Sequence, residues 1–206
     1  SIANTIDNNA NRCSTYNFFK IMNYIITGLI CSGKSTFLKI AKENNYMVLK
    51  SDDLVEELYN DQDFLNILKS KLDIQSFKNN PKKIIRNSFV KSENNKRIIE
   101  DLVHPIIHSL IIKELNLNKN LIIELPAIKN NKDLICNNKS VFIETNDEKR
   151  RKYYKINKSN DLEFFERVNE YQKDYLSIKS CCDIIINNNN NIDALYKFFD
   201  EVIDRS

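Results

Sequence analysis

Short apolar runs alternate with amphipathic stretches along this chain, and that alternation sets the expected architecture. Asn23-Tyr24-Ile25-Ile26-Thr27 is β-branched and aromatic, which predicts a strand. It runs into Gly28, and a helix is expected from about Lys34, with Phe37, Ile40 and Ala41 on one face at helical spacing. Tyr46-Met47-Val48-Leu49 predicts a second strand, ending at Ser51-Asp52-Asp53. Three more strands are expected at Leu121-Ile122-Ile123-Glu124-Leu125, closed by Pro126, at Val141-Phe142-Ile143-Glu144, and at Asp183-Ile184-Ile185-Ile186-Asn187. Charged helices fill the stretch from Glu144 to about Lys179, and a closing helix spans Ile192 to Ile203.

Between the second and third strands the pattern is helical almost throughout. Leu54, Leu58 and Tyr59 fall in one helix and Phe64, Leu65, Leu68 and Leu72 in the next. Pro81 suits the first turn of another. Ser92 and Glu93 precede Ile98, Ile99 and Leu102 in a helix expected to stop before Pro105, since the residue before a proline disfavours helical geometry. Ile106 to Leu115 then forms a separate helix. This is too much helix for one crossover. The expected organisation is a core of residues 22–55 and 119–206, a helical substrate-binding insert over 56–118, and a helical lid at about 146–175. The core is an α/β fold: a parallel sheet of about five strands covered by helices on both faces.

Composition narrows the classes. The 31 basic and 28 acidic residues are spread along the chain, with no stripe of the kind a dedicated nucleic-acid binder presents. The longest basic cluster, Lys149-Arg150-Arg151-Lys152, reads equally as a solvated helix face or as part of a lid. No apolar run reaches the roughly 20 residues that span a bilayer. Five cysteines without metal-ligand spacing are expected as free thiols in a reducing cytoplasm. Residues 1–21 are polar and lack the features of a secretory signal, so they read as a disordered leader ahead of Met22.

One motif carries chemistry. Gly28-Leu29-Ile30-Cys31-Ser32-Gly33-Lys34-Ser35 matches G-x-x-x-x-G-K-[ST] in full, between a strand and an amphipathic helix as the motif requires. Such a loop turns backbone N–H groups inward at a helix start, where the dipole adds positive potential. A chance match is expected in roughly one such chain in five thousand, before the strand–helix context is required. The chain has only 2 glycines, and both stand at the motif's glycine positions. The loop residues Gly28, Ile30, Cys31, Ser32, Gly33, Lys34, Ser35 and Thr36 are therefore the expected ATP-binding set. Lys34 would reach the β- and γ-phosphates, and Ser35 would ligate Mg²⁺. The three-layer core is thus a P-loop fold. A GTPase would need a base-reading Asn-Lys-x-Asp, which Asn131-Lys132-Asp133 lacks by one spacer.

Asp52 closes the second strand, and carboxyl ends of parallel strands line the ligand crevice of open α/β sheets. Its carboxylate suits a base or positioning group for an attacking hydroxyl, whereas Asp53 suits a helix cap. From these residues on, the sequence resembles the dephospho-coenzyme A kinase family. Val48-Leu49-Lys50-Ser51-Asp52 is similar to that family's second strand and aspartate. Leu102-Val103-His104-Pro105-Ile106-Ile107 is similar to its L-x-H-P-x-I segment, and Ile123-Glu124-Leu125-Pro126 to the strand before P-L-L-F-E. Gln172 followed by Cys182-Asp183-Ile184-Ile185-Ile186-Asn187-Asn188 is similar to its Q…A-D-x-V-I-x-N ending.

The resemblance implies transfer of the ATP γ-phosphate to the ribose 3′-hydroxyl of dephospho-coenzyme A. It implies Lys34 and Asp52 as catalytic residues, His104 on the substrate side, and basic lid residues among Arg150, Arg151, Lys158 and Arg167. It also implies a cytoplasmic monomer or weak homo-oligomer. Family lid arginines align with Tyr153, Asn157 and Val168, so the basic residues here stand out of register. The acidic residue after P-L-L-F is missing, because Pro126 leads into Ala127-Ile128-Lys129-Asn130. Two other functions fit the loop: a nucleoside or nucleotide kinase, and a non-catalytic ATP-binding module.

Overall fold

The computed structural model describes residues 22–72, 74, 77, 80–157, 162–173, 176–189 and 193–203. The expected leader, Lys158 and Ile192 lie outside them. Five strands, β1 (Tyr24–Thr27), β2 (Met47–Lys50), β3 (Leu121–Glu124), β4 (Ser140–Glu144) and β5 (Ile184–Asn187), form one parallel sheet in the order β2-β3-β1-β4-β5. This is the expected α/β P-loop architecture. Strand residues alternate between two faces. Ile25, Leu121 and Ile123 enter one core, and Tyr24, Ile26 and Ile122 enter the other.

On the second face lie α1 (Lys34–Glu43) and α9 (Asp193–Phe198), followed by a π-helical turn at Phe199–Ile203. Phe37 meets Phe199 there with ring centroids 5.6 Å apart. The first face is covered by α2 (Ser51–Leu58), α3 (Gln62–Lys71), α4 (Pro81–Lys91) and α5 (Glu93–Leu117), together with the short α6 (Lys132–Cys136). Leu65, Leu68, Ile85 and Ile107 share one apolar cluster with Ile25 and Ile123 of the sheet. The helices between β2 and β3 therefore share one apolar core with the first face of the sheet.

Local chemistry starts these helices where the sequence suggests. Pro81 occupies the first turn of α4, and Asn80 accepts from the Lys83 N–H. Ser92 caps α5 by accepting from the Asn95 N–H. The expected stop before Pro105 is wrong: α5 runs straight through it. Proline removes one ladder hydrogen bond and costs about 3 kcal/mol inside a helix. Here Ile99, Val103, Ile107 and Ile111 form an unbroken buried stripe at intervals of four, while Pro105 sits on the exposed face, where water reaches the carbonyl left without its donor. Packing of the stripe outweighs the local penalty.

The cysteine expectation also needs correction. Cys136 of α6 and Cys181, at the end of a 3-10 turn over Leu176–Cys181, are joined in a disulfide across 45 residues. The fold lays that turn against α6, a proximity that no spacing in the sequence signals. Cys31 and Cys182 remain thiols, and Cys13 lies outside the described residues.

The last strand is tied in electrostatically. One Asp183 oxygen accepts from the Ser140 N–H at 2.8 Å and the other from Lys139 at 3.3 Å, which starts β5 beside β4. The Ser140 N–H, helped by Lys139, holds this carboxyl below the usual aspartate range. A depressed native pKa gives stability that is present above the unfolded value and lost as pH falls through the native one. Asp183→Ala is therefore expected to cost about 1 kcal/mol at neutral pH. In denaturant titrations the difference from wild type should vanish on acidification below the carboxylate range. A constant difference at all pH values would show that the charge plays no part.

Candidate active site

The register brings the candidate side chains to one edge. Ile26, Glu124 and Lys50 lie on one line across the sheet, as do Thr27, Phe142 and Ile185. Gly28, Asp52, Thr145 and Asn188 follow just past their strands' carboxyl ends. A cavity of about 750 Å³ opens there, lined by the loop from Ile30 to Thr36, by Asp52 and Glu124, and by Tyr153, Phe164 and Gln172 of two later helices. Those helices are α7 (Asp147–Asn157) and α8 (Leu162–Lys173), which pack together through Tyr154 and Phe165. On its other side α8 meets the helices that follow β2. The Arg86 guanidinium lies over the Phe164 ring, and the Lys96 ammonium over the Tyr171 ring. Seven residues apart on α8, the two rings share a face.

The loop demands its two glycines. Gly28 has φ +147°, and a Cβ there would stand 2.5 Å from the Ile143 carbonyl oxygen. Gly33 has φ +109°, and its Cβ would stand 2.5 Å from the Asn188 amide nitrogen. Cys31 takes φ +59° between them, turning the chain so that the loop closes onto α1. Gly33→Ala is expected to weaken nucleotide binding by about tenfold or more, because both the backbone strain and the Asn188 contact must be relieved. Titration with ADP measures this, and wild-type affinity would show that the loop adapts freely.

Lys34 is buried, and its ammonium donates to the carbonyls of Gly28 and Leu29, each at 3.0 Å. Burial pushes its pKa down, while Glu124 is the foremost group holding it up. Glu124, half-buried at the end of β3, has its own pKa raised by burial, against the pull of Lys34 and with the push of Asp52. Ammonium and two carboxylates thus share one electrostatic neighbourhood in the cavity lining. Asp52 lies exposed in the first turn of α2, beyond the end of β2. Neither Asp52 nor Asp53 caps that helix, because the cap residue is Lys50. Ser35 and Thr36 line the cavity at the start of α1.

Of the basic residues expected over the phosphates, the three that are described, Arg150, Arg151 and Arg167, stand outside the cavity lining. Arg150 is fully buried behind the loop, donating to the carbonyls of Ile30 and Thr145 and pairing with Asp147. Arg151 pairs with Glu166, Arg167 is exposed, and neither lines the cavity. The basic side chain that α7 brings to the lining is Lys149, which also donates to the Asn188 carbonyl at 2.7 Å. His104 faces His108 across 6.0 Å on α5 and is not among the lining residues; burial lowers its pKa. His108 shares a hydrogen bond with Asn131 at 3.1 Å.

Sequence reading missed Glu124, Thr145, Gln172 and Asn188 as site residues. For Glu124 the signal was present, since it ends a parallel strand as Asp52 nearly does. Thr145 and Asn188 sit one residue beyond β4 and β5 and obey the same rule. Gln172 does not: its side-chain oxygen accepts from the Ile30 N–H at 2.5 Å, across 142 residues.

Comparisons with known proteins bear on the family and the fold. The family model for dephospho-CoA kinase matches residues 24–194. No curated protein matches the chain. Among solved structures, the protein TT1252 of Thermus thermophilus superposes with TM-score 0.71 at 19% identity, covering 89% of this chain and 96% of that one. A dephospho-CoA kinase from Campylobacter jejuni gives 0.64 at 22% identity, covering 87% and 96%. A shikimate kinase from Bacteroides thetaiotaomicron gives 0.58 at 13% identity, covering 87% and 97%. At these identities the structures testify to the fold alone.

Proposed function

The chain belongs to the dephospho-CoA kinase family and is an ATP-using kinase of coenzyme A biosynthesis, and we propose that the cavity at the sheet edge performs the transfer with Lys34, the loop amides, Asp52 and Glu124. The observation that carries this reading is the convergence of the phosphate loop, one buried ammonium and two carboxylates from three different strand ends on a single cavity. The loop amides and Lys34 neutralise charge on the phosphoryl group as it migrates to the acceptor. Asp52 accepts the proton of the ribose 3′-hydroxyl or orients that hydroxyl for attack. As the bond between the 3′-oxygen and the γ-phosphorus forms, the bond from that phosphorus to the β–γ bridging oxygen breaks and ADP leaves, while the hydroxyl proton passes to the carboxylate.

Mg²⁺ fits the donor set. The Ser35 hydroxyl with the Glu124 carboxylate offers hard oxygen ligands, the kind this ion accepts while keeping several waters. Held there, it would supply charge neutralisation at the phosphates. Lys149, Tyr153 and Phe164 form the wall that α7 and α8 place over the cavity, and closure of this wall would exclude water from the transfer. On the acceptor side the reading includes His104, half-buried on α5 outside the lining.

A coupled ADP-release assay tests this reading. Dephospho-coenzyme A should stimulate ADP formation in the presence of Mg²⁺, with coenzyme A as the product. Phosphorylation of a nucleoside monophosphate in its place, or ATP binding without turnover, would overturn it.

A further inference from the structure

Three side chains grip the phosphate loop by its carbonyl oxygens. The Thr145 hydroxyl donates to the Ser32 carbonyl at 2.7 Å, and the Asn188 amide donates to the same oxygen at 2.9 Å. Arg150 donates to the Ile30 carbonyl at 3.0 Å and, through Nε, to the Thr145 carbonyl at 3.0 Å. All three are at least nine-tenths buried. Each comes from beyond the carboxyl end of β4 or β5, behind the loop. Lys34 in turn takes the carbonyls of Gly28 and Leu29. The carbonyls of the first two loop residues are therefore held by the ammonium, while those of Ile30 and Ser32 are held by side chains from beyond β4 and β5.

A trans peptide unit is planar, so its N–H points opposite to its C=O. Holding the Ser32 carbonyl against Thr145 and Asn188 sends the Gly33 N–H the other way. Holding the Ile30 carbonyl against Arg150 does the same to the Cys31 N–H. The peptide between Leu29 and Ile30 is fixed at both ends, by Lys34 on its oxygen and by Gln172 on its N–H. We infer that Thr145, Asn188 and Arg150 are positioning residues, which preset the Gly33 and Cys31 N–H groups toward the phosphates by anchoring the carbonyl of each preceding residue. A loop whose peptide planes are already fixed gives up little freedom when an anion binds. Arg150 thus serves the site from beneath the loop, not from over the nucleotide.

The inference rests on the nucleotide reading of the loop, and Thr145 tests it with the smallest disturbance. Thr145→Val keeps the branched shape and loses the donor; Thr145→Ser keeps the donor. Affinities for ADP and for adenosine are measured by titration, with the Gly33 amide followed by ¹⁵N NMR. Thr145→Val should weaken ADP about fivefold, the loss of one hydrogen bond, and leave adenosine unchanged. Thr145→Ser should bind ADP within about twofold of wild type. The downfield movement of the Gly33 resonance on ADP binding should shrink in the valine variant and return in the serine variant. Wild-type ADP affinity in Thr145→Val, or an equal loss for ADP and adenosine, would overturn the inference while leaving the kinase reading intact. If wild-type protein binds no ADP, the nucleotide reading falls and this inference falls with it.

Discussion

Lys34→Met is expected to lower turnover about a thousandfold while leaving the protein folded. The magnitude is that of removing one preorganised donor from a site where charge develops in the transition state. Methionine fills a similar volume but carries no charge, so phosphoryl transfer loses the ammonium that the loop holds between the carbonyls of Gly28 and Leu29. In the folded protein that ammonium is buried, and burial opposes its charge. Removing it relieves a desolvation cost and leaves two carbonyls without their donor, so the two effects on stability oppose each other. Strain or burial of this kind at a functional site is tolerated because the rest of the fold sustains it. ADP release and thermal unfolding, measured side by side, check the prediction. A variant retaining more than about a tenth of wild-type turnover would remove Lys34 from the transfer step.

Asp52→Asn should retain ATP binding and lose about 10²–10⁴-fold in turnover, the range for a positioned acid or base. The amide keeps the size of the carboxylate and can still accept a hydrogen bond, but it cannot take the hydroxyl proton. Asp52 is exposed in the first turn of α2 and is not part of the loop, so the loop amides should hold the phosphates as before. The expected signature is a fall in kcat with an unchanged KM for ATP. A rise in KM alone would make Asp52 a binding residue, and unchanged kinetics would remove it from the mechanism. Glu124 faces the same cavity, so the double variant Asp52→Asn with Glu124→Gln separates the two carboxylates: non-additive losses would show that they act together.

Two of the expectations that failed did so for one physical reason. A proline inside a helical pattern and cysteines 45 residues apart are local facts, and their outcome depends on what packs against them. The buried stripe of α5 carries the helix through Pro105. The meeting of α6 with the turn before β5 pairs Cys136 with Cys181.

The basic run Lys149-Arg150-Arg151-Lys152 shows the same limit at the site. Residues on α7 four apart share a face, so Arg150 and Tyr154 turn inward together while Arg151 turns outward to Glu166. Composition cannot say which of four adjacent cations a helix will bury.

By itself the sequence determined the strands, the helical stretch between the second and third of them, and the phosphate loop. Each of these is written in contiguous residues: apolar runs with strand or helix periodicity, and a glycine-bounded turn that few other sequences can form. Only the tertiary structure decided what surrounds that turn. Parallel strands bring Asp52, Glu124, Thr145 and Asn188 to one edge from segments far apart in the chain, and α8 adds Gln172. Sheet order and helix phase fix such meetings through the burial of shared apolar faces, and that burial is a property of the whole fold.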